Sequence, residues 1–511
     1  MEHHGSESYF VLGEGMFGES LGGRDDTRTL AAAVNAAPPF RFSRMGPKGT
    51  GKQLAEPNRR RIAEAMTAGT RAAGAIGAGF TYLGQFIDHD LTFDKTALME
   101  GADIDPATLE QGRSPSLDLD CLYGLGPQDP GSAQFYSDDR HLKVGSADGA
   151  PSDGFDLPRN LTGNAANKRK ALIPDKRNDE NLAVAQTHLA MIRFHNRVVD
   201  KLPASVPPAQ RFTEARKIVT KHYQWMIRTD YLPKICQPAV VNDVFKNGRK
   251  AFEAAADPMS TPTMPIEFSV AAFRLGHAMV RGDYSWNSNF PAATLSDLFD
   301  FSGLSGNLAG GTKLPSIWIA DWRRLYNFGV AARDDLKVPA AQFNRAMRID
   351  TRLVDPLREL RIDTSPPRKN LAFRNLLRAN MLKLATGQQM AAFLRSKGVA
   401  AQTLSKAQLR EGKNGAKLDG LTTTQRNALL TNTPLWFYVL REAELNQGRL
   451  MRVGARIVAE TFHRAMEGST NSIVRDTAFK PSLGPDDKTF RMVDLLLFAF
   501  EGKKALLNPN G

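Results

Sequence analysis

Cysteine is nearly absent: in 511 residues it occurs only at Cys121 and Cys236. Two thiols cannot build a disulfide framework, and such a chain suits a reducing compartment. Long apolar runs are missing too. The strongest, VDLLLFAF at 493–500, falls far short of the ~20 residues that a membrane span needs. The opening MEHHGSESYFVLGEGMFGES shows neither a basic n-region nor an apolar h-region, so no secretory signal is recognisable. A cytoplasmic location, or export by a non-classical route, is the expectation. There are no internal repeats, and no alternation of apolar residues is long enough for a sheet. Acidic excess is lacking as well, with 67 Lys+Arg against 54 Asp+Glu for a net charge of +13. The basic residues are scattered and carry no aromatic RNA motif, so a nucleic-acid partner is not expected.

What is present is helical periodicity. With 42% hydrophobic and 24% charged residues, the chain has ample material for a large core, and its length alone suggests three domains. Residues 1–58 are rich in Gly and Pro and read as an irregular N-terminal arm. A helical pattern runs from Asn58 to Leu91 and returns over 180–203, 210–232, 265–282, 370–397, 422–446 and 449–467. Residues 101–170 read as a long loop region of the kind that is usually functional. The class is mainly α, and no clear linker divides it.

Four stretches carry chemistry. In TYLGQFIDHDLTFD (81–94), helical geometry puts Gln85, Asp88 and His89 on one face and turns Asp90 about 100° away. Carboxylates in such apolar company are costly without partners. In DKRNDENLAVAQTHLAMIRFHNR (175–197), Arg177 and Glu180 share a face at a helix start, where a surface ion pair would read the same way. In FSVAAFRLGHAMVRGDYSW (268–286), His277 sits on an apolar helix with Arg274 one turn before it. A lone histidine there is more often a satisfied core residue than a ligand. In RSPSLDLDCLYG (113–124), Ser114, Ser116, Asp118 and Asp120 alternate, and oxygen donors at that rhythm suit Ca²⁺ or a solvated turn.

Taken together and in order, GQFIDHDLTF, the Asp-rich LDLD–LYG segment, RNDEN, FRLGH and RNLLR resemble the animal-type haem peroxidase superfamily, particularly its bacterial members. The resemblance runs from about residue 75 to 500 and includes LWFYVLREAE. It implies one large, mainly α-helical domain over 59–511 with haem between core helices, in place of three domains. It makes His89 the distal proton shuttle, Gln85 a distal glutamine bonding water or halide, and Arg177 the distal arginine. Asp88 and Glu180 match the acids that form esters with haem methyl carbons in mammalian members. His277 matches the proximal iron ligand and Asn375 its hydrogen-bond partner, an acceptor, while Arg274 and Arg378 match positions near the haem propionates. Asp90, Ser114, Ser116, Asp118 and Asp120 match a structural calcium site.

The implied activity is a haem peroxidase in which H₂O₂ oxidises the cofactor, which then oxidises halides or small organic donors. Two departures bear on it. Asn181 stands where the chloride-oxidising member has a methionine bonded to a haem vinyl, so that third link is not expected. Arg274 stands where the related fatty-acid oxygenases place a radical-bearing tyrosine. The alternatives are a fatty-acid dioxygenase of the same superfamily, or a catalytically silent adhesion or structural relative.

Overall fold

The computed structural model describes residues 40–51, 54–94, 104–360 and 367–511. The fold is mainly helical, as the periodicity predicts. Eight helices position the site: α1 (Glu56–Met66), α2 (Gly79–Leu91), α3 (Leu182–Lys201), α4 (Arg211–Met226), α5 (Gly276–Met279), α6 (Leu371–Met381), α7 (Leu435–Leu445) and α8 (Arg452–Glu467). At the centre lies α2, whose residues are all buried except the half-buried Asp88. An α-helix apolar nearly all round must be covered on every side. Accordingly α2 packs against α3, against α5, and against the turn Lys176–Asp179. Gly84 is required there: a Cβ would lie 2.2 Å from the Tyr231 hydroxyl oxygen.

The helix ends are fixed by polar side chains. Asn181 caps α3 by accepting from the Val184 N–H at 2.9 Å. Asn370 caps α6, accepting from Ala372 at 2.9 Å and Phe373 at 3.3 Å. Each satisfies N–H groups that the first helical turn leaves without partners.

Several local readings need correction. The pattern over 58–91 is not one helix: strand Ala73–Gly77 interrupts it and pairs antiparallel with Arg345–Met347, Ala73 opposite Met347. Gly69, at φ +86°, turns the chain out of α1. At Gly77 a Cβ would meet the Leu325 carbonyl oxygen at 2.4 Å, so close backbone approach decides this segment. Of the N-terminal arm, residues 1–39 lie outside the described residues. Residues 40–58 contain strand Phe40–Ser43, antiparallel to Glu110–Gln111 and parallel to Met264–Pro265, and the start of α1 at Glu56. The region 265–282 is not a continuous helix but three short pieces, Ile266–Ser269, Ala272–Leu275 and α5. Among the described residues no helix is long and apolar enough to cross a membrane.

Candidate active site

His89 is the best-defined group. It is fully buried on α2, and its Nδ1 lies 2.8 Å from Asn178 Oδ1. Asn178 in turn presents Nδ2 to His188 Nδ1 at 2.9 Å. The remaining nitrogen, His89 Nε2, is buried with no hydrogen-bond partner. Burial first, then the nearby Arg177 charge, hold this imidazole down to about 3. It is a neutral base at neutral pH.

Arg177 and Glu180 do not open the long helix. They lie in and just after a 3₁₀ turn, Lys176–Asp179, and Asn181 then starts α3. In a 3₁₀ turn side chains at i and i+3 eclipse, so the two still share a face. Arg177 binds Asp175 with both Nε (3.0 Å) and Nη2 (2.7 Å), and Nη2 also donates to the His89 carbonyl at 3.0 Å. Its guanidinium lies 4.4 Å from the Phe93 ring centre. Arg113 binds the other side of Asp175 at 2.8 Å. Burial pushes the Asp175 carboxyl up, but Arg113 and Arg177 outweigh it and hold the group well below the usual carboxylate range. Arg113, Asp175 and Arg177 thus leave one net positive charge beside His89.

Gln85, read as a ligand for water or halide, spends both ends of its amide on protein. Nε2 donates to Glu180 Oε1, and Oε1 accepts from Asn181 Nδ2 at 3.0 Å. This second contact gives Asn181 a role beyond capping. Burial pushes Asp88 up to about 6 against the pull of Arg177 and then of Arg274.

His277 is buried on α5, which packs on α2. Its Nδ1 is 2.8 Å from Asn375 Nδ2, on α6, so the expected pairing is present. Its polarity is the reverse of expectation. Arg274 Nη1 donates to Asn375 Oδ1 at 2.8 Å, and this occupies the acceptor end and turns the amide nitrogen toward the histidine. Arg274 Nε also donates to the Ser269 carbonyl at 3.0 Å, and Arg378 pairs with Asp94. Trp436 on α7 stands 6.2 Å from the His277 ring and donates to the Arg274 carbonyl at 3.3 Å.

The serine–aspartate segment is not extended. Leu119 takes φ 60°, and Asp120 begins a short helix, which breaks the alternation. Ser114 Oγ accepts from the Ser116 N–H at 3.3 Å, and Ser116 Oγ donates to the Gly468 carbonyl at 3.3 Å. Asp118 accepts from Ser469 Oγ at 2.6 Å and the Thr470 N–H at 3.1 Å, and Asp120 lies 3.5 Å from Arg216. Asp90 is fully buried. One oxygen accepts a long bond (3.4 Å) from the Cys121 N–H, and Oδ2 has no hydrogen-bond partner. Burial, then Asp120, push Asp90 up to about 8. Among the described residues no group of three or more His, Cys, Asp or Glu side chains converges to hold a metal as it stands.

Comparison with known proteins meets this geometry. The family description "Animal haem peroxidase" matches residues 105–302, which include Arg177, Glu180, Arg274 and His277 but not His89, Asn375 or Arg378. Mouse (Mus musculus) thyroid peroxidase is 34% identical over 140 residues, 25% of this chain and 15% of that protein. A Drosophila melanogaster peroxidase is 29% identical over 205 residues, 37% of this chain and 29% of that protein. The matched stretches are thus well under half the length of these relatives. Among solved structures, peroxidase A of Dictyostelium discoideum superposes with a TM-score of 0.57 at 15% identity, covering 92% of this chain and 94% of its own. The chain is thus similar to the animal haem peroxidases, through the family match over residues 105–302 and through its fold. An Arabidopsis thaliana fatty acid alpha-dioxygenase also superposes, at TM-score 0.53 and 11% identity, over 94% of this chain and 84% of its own. The fold is therefore shared by both chemistries.

Reading the sequence missed Arg113, Asp175, Asn178 and His188. Asn178 and Asp175 flank Arg177 within a stretch already singled out. The sign that drew attention to His277, a histidine on an apolar helix, was equally present at His188.

Proposed function

We propose that the protein is a haem-dependent peroxidase using hydrogen peroxide to oxidise halides or small organic donors. The observation that supports it most is the unpartnered Nε2 of a buried, neutral His89 beside a fixed cation. Leaving a buried acceptor unmade costs about 1–3 kcal/mol, so such a nitrogen is kept for a partner from outside. The residues fit haem: with the Asn375 amide turned so that its oxygen faces Nδ1, His277 would hold the iron, Asp88 and Glu180 would reach the ring edge, and Arg274 and Arg378 would serve the propionates. When bound, haem takes up the oxidising power of peroxide and passes it to the donor.

The chain's own part is proton transfer. His89 Nε2 accepts a proton from one oxygen of hydrogen peroxide and delivers it to the other as the O–O bond breaks and water leaves. Arg177, fixed by Asp175 and the His89 carbonyl, stabilises the charge that develops on the departing oxygen without reorganising. The decisive experiment is reconstitution with haem, then donor oxidation by peroxide with guaiacol and bromide. Oxygen uptake with palmitate in the absence of peroxide would instead support the dioxygenase reading, which the Arabidopsis likeness favours. Arg274, bound to Asn375, stands against it.

We also propose that Asp88 and Glu180 become ester-linked to haem. Asp88 is protonated well above the usual carboxylate range, and Glu180 is fully buried against Gln85. Acid-acetone extraction is expected to release less haem after turnover with peroxide than before it. Asp88→Val combined with Glu180→Gln should release all of it under both conditions. Complete release from the peroxide-treated parent would leave these acids as hydrogen-bonding groups only.

A calcium ion at Asp90, Asp118, Asp120, Ser114 and Ser116 is the third proposal. Its support is the orphaned Asp90 Oδ2 and the crowding of carboxylates, since burial, then Asp118, also push Asp120 up to about 6. Stripping a counter-charge from buried carboxylates costs on the order of 3–5 kcal/mol. Chelation verified by metal analysis, or Asp118→Ala, should lower thermal stability and peroxide reactivity together, because Asp90 is next to His89. If exhaustive chelation changed neither, there would be no calcium here.

A further inference from the structure

A neutral imidazole has one N–H and one lone pair, and which nitrogen carries the proton is set by the bond the other ring nitrogen makes. At His89 that bond goes to an amide, and an amide can face either way. With Asn178 Oδ1 toward His89, Nδ1 must carry the proton and Nε2 keeps its lone pair. With the amide reversed, Nδ2 would face His89. Nδ1 would then have to accept, the proton would sit on Nε2, and the histidine could not act as a base. The difference between a working and a useless site is thus one 180° rotation of Asn178.

His188 holds that amide in place as long as its own Nδ1 carries no proton. It lies fully buried on α3, edge-on to Phe86 at 5.7 Å between ring centres, and its Nδ1 accepts from Asn178 Nδ2 at 2.9 Å. Its Nε2 has no hydrogen-bond partner. Burial keeps the His188 ring neutral, with its protonation lowered to about 3. The three side chains form one directional chain, with His89 Nδ1–H donating to Asn178 and Asn178 Nδ2–H donating to His188. We propose that Asn178 and His188 are positioning residues that fix the proton of His89 on Nδ1 and so reserve Nε2 for peroxide. The inference rests on the peroxidase reading for its consequence, but the hydrogen-bond chain stands on its own geometry.

The orientation of the amide is decided by two contacts, and neither contact alone suffices. Removing the acceptor at 188 leaves Asn178 Nδ2 buried and unsatisfied, which favours rotation toward His89 Nδ1. Wrong-tautomer histidines in catalytic sites can lose ~10⁴-fold in rate, and general-base assistance is worth about 10²–10⁴-fold. His188→Leu keeps the apolar packing and deletes the acceptor. His188→Gln can restore an acceptor through its side-chain oxygen.

Two measurements test this. In the haem-free protein, ¹⁵N NMR of the imidazoles should show His89 with its proton on Nδ1, and His188→Leu should lose that signature. In the haem-reconstituted protein, His188→Leu should slow both the reaction with hydrogen peroxide and the binding of cyanide, added as HCN, by about 100-fold. Both steps need a proton taken at the same nitrogen. His188→Gln should recover most of the loss, and the Soret band before mixing should be unaltered in both variants. A parent with its proton on Nε2, or His188→Leu rates within twofold of the parent, would overturn the inference with the peroxidase reading intact. The Nδ1–H signature in a parent that fails to react with peroxide would do the opposite.

Discussion

Replacing His277 with alanine is expected to abolish peroxide-dependent turnover and to shift or weaken the Soret band of the reconstituted protein. Nine histidines occur in the chain, of which His3 and His4 lie outside the described residues. Most of the others have other work. His141 bridges Asp138 and Asp200, at 2.8 and 3.0 Å. His195 lies between the Tyr123 hydroxyl and the Arg140 carbonyl, and His222 between the Ile218 carbonyl and the Ser482 N–H. His463 faces Arg249 at 2.7 Å, and His188 belongs to the Asn178 chain. His277 stands on a helix packed on α2 with the Asn375 amide at Nδ1, and to bind iron through Nε2 that amide would turn its oxygen toward Nδ1 to accept the ring proton. Metal-binding histidines usually donate their other ring N–H to such an acceptor. Far-ultraviolet circular dichroism should show the variant folded, and added imidazole should partly restore the spectrum by filling the space left. An unaltered Soret band in His277→Ala would move the iron ligand elsewhere.

Much of this was legible in the sequence because helices write themselves locally. The 3.6-residue period over 180–203 and 449–467 became α3 and α8 with only their ends displaced, while that over 210–232 became α4 followed by a π-helical turn at Ile227–Tyr231. The parts that failed depend on contacts distant in the chain. Strand Ala73–Gly77 exists because Arg345–Met347 lies beside it and the Leu325 carbonyl crowds Gly77, neither of which is written between residues 70 and 80. The break at Leu119 is a single φ value, and it undid the serine–aspartate alternation. At the candidate site the residue types were readable and their partners were not. Gln85 and Glu180 could be singled out, but that each occupies the other required the turn at Lys176–Asp179 to meet α2. The reversed amide of Asn375 likewise follows from Arg274, 101 residues away in the chain.

His89→Leu is expected to leave the haem spectrum nearly intact while slowing the reaction with hydrogen peroxide by about 10²–10⁴-fold. The substitution keeps the apolar volume and leaves His277 and Asn375 untouched, so loss of rate without loss of Soret intensity separates base from ligand. Arg177 and Asp175 stay in place, and their electrostatic help explains why some reactivity should survive. The pH dependence follows from the same site. Burial and Arg177 depress the imidazole, so the base form is present at neutral pH and is lost only as pH falls toward about 3. An ordinary histidine would begin to fail near 6.5. The rate constant for peroxide in the parent should therefore stay flat from pH 8 to about 5 as far as His89 is concerned. The residual rate in His89→Leu should show no step near pH 3. A stopped-flow pH series on both proteins checks this. A parent profile falling with a midpoint near 6.5, or a His89→Leu rate within threefold of the parent, would mean that the proton is carried by another group.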